Sequence, residues 1–261
     1  MEYYLRAVIN LLSFASIVLL GVLWIRLMSS GLWKVYRAFT VYVFALLVES
    51  GLLLTLVRNP EMYLRVWVVS RLTILLLETV VVLSIFGRWT GSYKGIGAFG
   101  RRLVVILMAV SVGLAFSTLP VSWSAKGWNV VAQLTTIANR GASFCFAAFL
   151  LLTIGFFYKF GGPVAPNLKR HSWAMTAYVS ANVVSYFVMA RHVFWLSNIL
   201  FPVVSLATLA YWIFAFQTSG EEKPVTAANP ERWAAAEAMN EQLQKLADSV
   251  TLSPRGVTRK K

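Results

Sequence analysis

The stretch RLTILLLETV, residues 71–80, decides how the chain is read. It lies inside a longer apolar run, 63–86, which at ~1.5 Å of helical rise per residue is long enough to cross ~30 Å of hydrocarbon. Yet it keeps an arginine, Arg71, and a glutamate, Glu78, on one helix face. A charge at the centre of a bilayer costs ~2.5–3.5 kcal/mol on insertion scales, so it is kept where protein or water surrounds it and a partner offsets it. The stretch therefore reads as the inward seam of a central membrane helix.

Working outward, six more segments have the same character: 7–27, 36–57, 102–120, 130–157, 172–190 and 196–217. Of 261 residues, 58% are hydrophobic and 13% are charged, whereas a soluble domain carries about a quarter charged residues. The expected fold is all-α: a polytopic membrane protein with a seven-transmembrane-helix bundle over 1–217 and a cytoplasmic tail over 218–261. The lipid bilayer is its first partner. A net charge of +14 in a soluble chain would point to nucleic acid, but no basic stretch interleaved with aromatics occurs here, and no nucleic-acid partner is expected. The only cysteine, Cys145, excludes an intramolecular disulfide.

Basic residues orient the bundle. Arg26, Lys34 and Arg37 follow the first helix, Arg88, Lys94, Arg101 and Arg102 the third, and Lys159, Lys169 and Arg170 the fifth. The other side has only Arg6, Arg58, Arg65, Lys126 and Arg191. By the positive-inside rule the N-terminus is outside and the C-terminus cytoplasmic, in a plasma membrane that we read as a bacterial inner membrane. The first helix is too long for a signal peptide, is followed by no A-x-A site, and reads as retained.

The tail contains one amphipathic helix, about 230–249. Asn229 serves as N-cap, Pro230 fits the first helical position and Glu231 suits the helix dipole. Trp233, Ala236, Met239, Leu243 and Leu246 make an apolar stripe. The stripe fits a cytoplasmic protein partner or the bundle itself. The last residues, SPRGVTRKK, read as disordered.

Four charges lie deep in the spans: Glu49, Arg71, Glu78 and Arg140, with a formal sum of zero. Helical rise puts Glu49 ~13 Å below Arg58 and Arg71 ~9 Å below Arg65, so the two sit at similar depth on neighbouring helices. Glu78 and Arg140 both fall near mid-span. The expected pairs are Glu49 with Arg71 and Glu78 with Arg140. Such pairs can serve only to fix helix rotation and register, or they can hold a small anionic ligand or carry a proton. Gln133, Thr136 and Arg140 on helix five join Tyr178, Asn182, Ser185 and Tyr186 on helix six and Asn198 and Ser205 on helix seven. Their convergence predicts a polar cavity between helices three, five, six and seven, with interhelical hydrogen bonding as the plain structural alternative.

Exclusions narrow the function. The topology is shared with rhodopsins and G-protein-coupled receptors, but the last helix has no Schiff-base lysine. The third has no acidic-Arg-aromatic triplet, and no N-P-x-x-Y follows. His171 and His192 fall at opposite membrane faces, each read as a solvated loop residue, so no haem or metal site is expected. No hydrolase, metalloprotease, phosphate-loop or CxxC motif occurs, and no cofactor is expected. Three functions fit: a receptor-like or signalling-coupled protein with an intramembrane polar site and a partner-binding tail; a secondary transporter or proton-coupled carrier; and a structural subunit of a membrane complex.

Overall fold

The computed structural model describes residues 2–91, 94–118, 127–160, 164–190, 194–221, 234 and 237–245. Lys126, Arg191, His192, Asn229, Pro230, Glu231, Trp233, Ala236, Leu246 and the last residues lie outside that set. The described residues form seven long α-helices: α1 Glu2–Ser29, α2 Arg37–Leu56, α3 Pro60–Trp89, α4 Lys94–Thr118, α5 Trp128–Phe160, α6 Pro166–Ala190 and α7 Phe194–Ala215. Short 3-10 turns cover Leu32–Lys34 and Thr218–Glu221. The tail is helical over 237–245.

Four stretches are long and apolar enough to cross a membrane: Asn10–Ser29, Arg37–Leu56, Pro60–Trp89 and Trp128–Lys159. α4 and α7 contribute shorter apolar stretches, Arg102–Ser111 and Ile199–Ala215. α6 begins at Pro166, earlier than its expected apolar span, because Pro is favoured at a first helical position. The polar residues Asn167, Lys169, Arg170 and His171 thus become its first turns.

Local chemistry sets the ends that matter for the site. Gly31 takes a left-handed φ of 72° just beyond α1, which a Cβ would disfavour, and lets the chain reverse into α2. The Asn59 side chain accepts a hydrogen bond from the Met62 amide at 3.2 Å, Pro60 opens α3, and Glu61 and Arg88 match the two ends of its dipole. The short links make α1, α2 and α3 successive antiparallel neighbours.

The helices pack as a closed ring in the order α1, α2, α3, α5, α6, α7 and back to α1. α4 stands outside the ring, mainly against α5. Phe39, Ile85, Phe146, Leu150, Met175 and Trp212 are fully enclosed, and most of the core lies toward one end. That end carries Arg26, Lys34, Arg37, Arg88 and Arg170, and is called the basic end below. Leu11, Phe14, Leu76 and Phe214 remain exposed, as expected for surfaces solvated by lipid.

α4 meets α3 closely at Gly100, where a Cβ would collide with the Phe86 ring. Gly100→Ala should therefore lower the thermal midpoint, with an overpacking cost of about 1–3 kcal/mol. Phe86→Leu in the same chain should recover part of the loss. If Gly100→Ala melts with the wild type, the close approach is wrong.

Candidate functional site

A cavity of about 410 Å³ opens between α1, α2, α3, α6 and α7. Its mouth lies at the end opposite the basic one, where the lining residues Asn10, Leu54 and Val57 are exposed. Its floor is closed by Tyr42 and Trp212, 1% and 2% exposed. Polar groups line it at three levels: Asn10, Ser13 and Tyr63 near the mouth, Ser16, Glu49, Ser50, Arg71 and Ser205 midway, and Tyr42, Tyr178 and Trp212 at the floor. Ile17, Leu46, Leu53, Val57 and Phe201 supply the apolar wall.

The charge pair sits midway. Arg71 Nε lies 3.2 Å from Glu49 Oε1, and the Ser70 hydroxyl donates to the same oxygen at 3.0 Å. Glu49 is 4% exposed, whereas the Arg71 side chain is one-third exposed toward the cavity it lines. The antiparallel α2–α3 hairpin brings residues at equal depth together, which is why these two meet.

Glu78 lies two turns deeper on α3 and is also buried, and its Oε1 accepts no hydrogen bond. Arg71, two turns away on the same helix face, is a cation whose charge reaches it. Arg140 on α5 is half-buried, has interactions of its own, and does not line the cavity.

The other anticipated residues separate. Tyr178 lines the cavity, with its ring 5.6 Å from Phe201 and 6.4 Å from Trp212. Asn182 and Tyr186 are half-buried on α6 outside the cavity lining, although Arg71 and Tyr186 are close enough to interact electrostatically. Gln133 on α5 has its own interactions and is also outside the lining. Asn198 lies near the start of α7, and its side chain is outside the described set. The cavity is therefore walled by α1 and α2, not by α5 as expected. α5 instead buries Thr135, Asn139 and Ser143, and leaves Gln133, Thr136 and Arg140 half-buried. The signal missed in the sequence was the polar run Asn10, Ser13 and Ser16 on α1, together with Tyr42 seven residues before Glu49.

A second polar cluster closes the basic end, where α7 leaves its last carbonyls unpaired within the helix. Arg170 Nη1 donates to Ala215 O at 2.7 Å, Arg26 Nη2 to Phe216 O at 3.0 Å, and Asn167 Nδ2 to Gln217 O at 2.5 Å. Cations here also suit the negative end of the helix dipole. Asn167 Nδ2 also donates to Glu221 Oε1 at 2.8 Å, and Arg88 Nη2 lies 2.9 Å from Glu221 Oε2. The Arg88 guanidinium stacks 4.3 Å over the Tyr36 ring.

Aromatic rings join the two sites. From Trp212 at the cavity floor, Phe39 lies at 4.7 Å, His171 at 4.4 Å from Phe39, and Phe216 stacks on Tyr36 at 5.2 Å. His171 is buried in this column rather than solvated in a loop, because α6 starts before it. In the tail helix, Met239 is half-buried, and Leu243 packs against the core, so part of its apolar stripe is met by the bundle itself. Among the described residues, no three His, Cys, Asp or Glu side chains gather to hold a metal ion.

Removing Arg71 leaves Glu49 buried without its cation, so Arg71→Leu should destabilise the protein by about 3–5 kcal/mol. Adding Glu49→Gln should restore a substantial part, read as a positive coupling in a double-mutant cycle of thermal midpoints. Additive losses would show that the two side chains do not act as a pair.

No family model matches the chain, and neither a curated protein nor a solved structure is similar to it.

Proposed function

We propose that the protein is a receptor-like membrane bundle that takes a small molecule into the cavity and reports its presence to the tail. All seven helices span a plasma membrane, with the N-terminus outside and the basic end cytoplasmic. The observation that carries this reading is the cavity itself. It combines small-molecule dimensions with an ion pair on its wall. The aromatic column and the clamp on Glu221 offer the physical route from floor to tail. In a bacterial inner membrane this arrangement opens the cavity to the outer side. A cytoplasmic protein partner would compete with the bundle for the tail stripe, Met239 and Leu243 included.

Thermal unfolding in lipid nanodiscs, against a panel of small anionic and neutral compounds, tests this directly. At least one compound should raise the midpoint of the wild type but not of a chain whose cavity is filled by Ser16→Phe and Ser205→Phe. The same compound should change hydrogen exchange over 237–245. Equal stabilisation of the filled chain would place binding elsewhere. Unchanged exchange in the tail would remove the signalling part.

Orientation has its own test. In a Cys145→Ser background, a membrane-impermeant thiol reagent added outside should label Asn59→Cys and not Ser30→Cys. The reverse pattern inverts the assignment.

A carrier is the second reading, favoured by Glu78, which is buried two turns from Arg71 with one oxygen unbonded. A carrier requires flux into proteoliposomes that Glu78→Gln abolishes, whereas a receptor requires none.

A further inference from the structure

Outside the ring, α4 parts from α3 as it leaves the basic end. The two helices touch near that end, where a Cβ on Gly97 would meet Thr90 Oγ1 at 3.2 Å and one on Gly100 would strike the Phe86 ring. Farther along, each packs on α5, and a groove of about 460 Å³ opens between them. Thr79 and Leu83 of α3 and Val104, Val105, Met108 and Ala109 of α4 line it. The one hydroxyl among them, on Thr79, already donates to Leu75 O at 2.8 Å. The groove therefore offers hydrocarbon contact and no free hydrogen-bonding side chain.

Length and charge choose among apolar occupants. Thr79 to Leu83 and Val104 to Ala109 each cover about 6–8 Å of helical rise, little more than one turn. A helix of a second copy would meet the groove over that single turn, whereas an acyl chain is thin and is in constant supply in a bilayer. The foot of the groove is basic. Val105 and Ala109 follow Arg102 by three and seven residues, so all three share a helix face, and Arg102 is exposed. α4, Lys94–Thr118, has no acidic residue to offset Lys94, Arg101 and Arg102. Long helical side chains lean toward the helix N-terminus, which for α4 is the basic end, so the charge of Arg102 belongs on the headgroup side of the groove.

We infer that the groove between α3 and α4 is a site for one anionic phospholipid, with an acyl chain along Leu83, Val105 and Ala109 and the phosphate beside Arg102. Basic residues at the foot of a groove between membrane helices recognise such headgroups by charge. The site needs a membrane around α3 and α4 but no ligand in the polar cavity, so it stands or falls apart from the receptor reading.

Native mass spectrometry of the full chain, stripped of lipid in detergent, tests this with an equimolar mixture of dioleoyl phosphatidylglycerol and dioleoyl phosphatidylcholine. The wild type should retain one phosphatidylglycerol in preference to phosphatidylcholine. Arg102→Gln should reduce that preference about fivefold, and Arg102→Lys should keep it. Ala109→Phe fills an exposed position of the groove, so the lipid-free thermal midpoint should hold while retention of both lipids falls. Equal retention of the two lipids by the wild type overturns the inference. So does a preference unchanged in Arg102→Gln, or retention unchanged in Ala109→Phe. A wild type that keeps neither lipid overturns it as well, and a dimer that Ala109→Phe dissolves would then give the groove to a second copy.

Discussion

Glu49 and Arg71 meet at 3.2 Å in a wall that is otherwise mostly apolar, and the arrangement of α2 and α3 follows from that meeting. Neither charge can turn toward lipid without losing its partner, so the two helices are fixed in rotation as well as in register. With α2 and α3 so held, Tyr42 and Glu49 face the same interior as Ser70 and Arg71. α1 and α7 then complete an enclosure around that face. The pair thus both orders the bundle and gives the enclosure its polar wall.

The two ends of the molecule solve different problems. At the basic end, packing is dense, and the loose carbonyls of α7 are met by Arg26, Asn167 and Arg170 from two other helices. At the opposite end, the ring stands open. The base below the accessible cavity is close-packed, because rings such as Phe39, His171 and Trp212 touch one another and have little room to yield.

Much of this was legible in the residues, and the remainder was not for identifiable reasons. Helical rise from flanking arginines was enough to put Glu49 and Arg71 at one depth. That the charge of Arg71 reaches Glu78 was legible as a shared helix face, seven residues apart. Polar composition misled at α5. Thr135 and Thr136 satisfy their hydroxyls on carbonyls of the preceding turn, Val131 O and Ala132 O, so a hydroxyl on a helix need not mark a cavity. His171 was misplaced by the boundary of α6, since the apolar run begins after the helix does. The exclusion of α4 from the ring was invisible, because an apolar segment reads the same whether its neighbour is protein or lipid.

The ring also dictates an order of assembly. Its closing contact joins Arg26 of α1 to Phe216 beyond α7, 190 residues apart in the chain. During synthesis, α1, α2 and α3 can settle against one another early, but α5 must pass the outlying α4 before it reaches α3. The enclosure acquires its floor only when Trp212 has left the ribosome. Until then, the polar face of α1 through α3 lacks its final wall, a period in which a chain released early would expose Glu49 and Arg71 to the bilayer and become a substrate for membrane quality control.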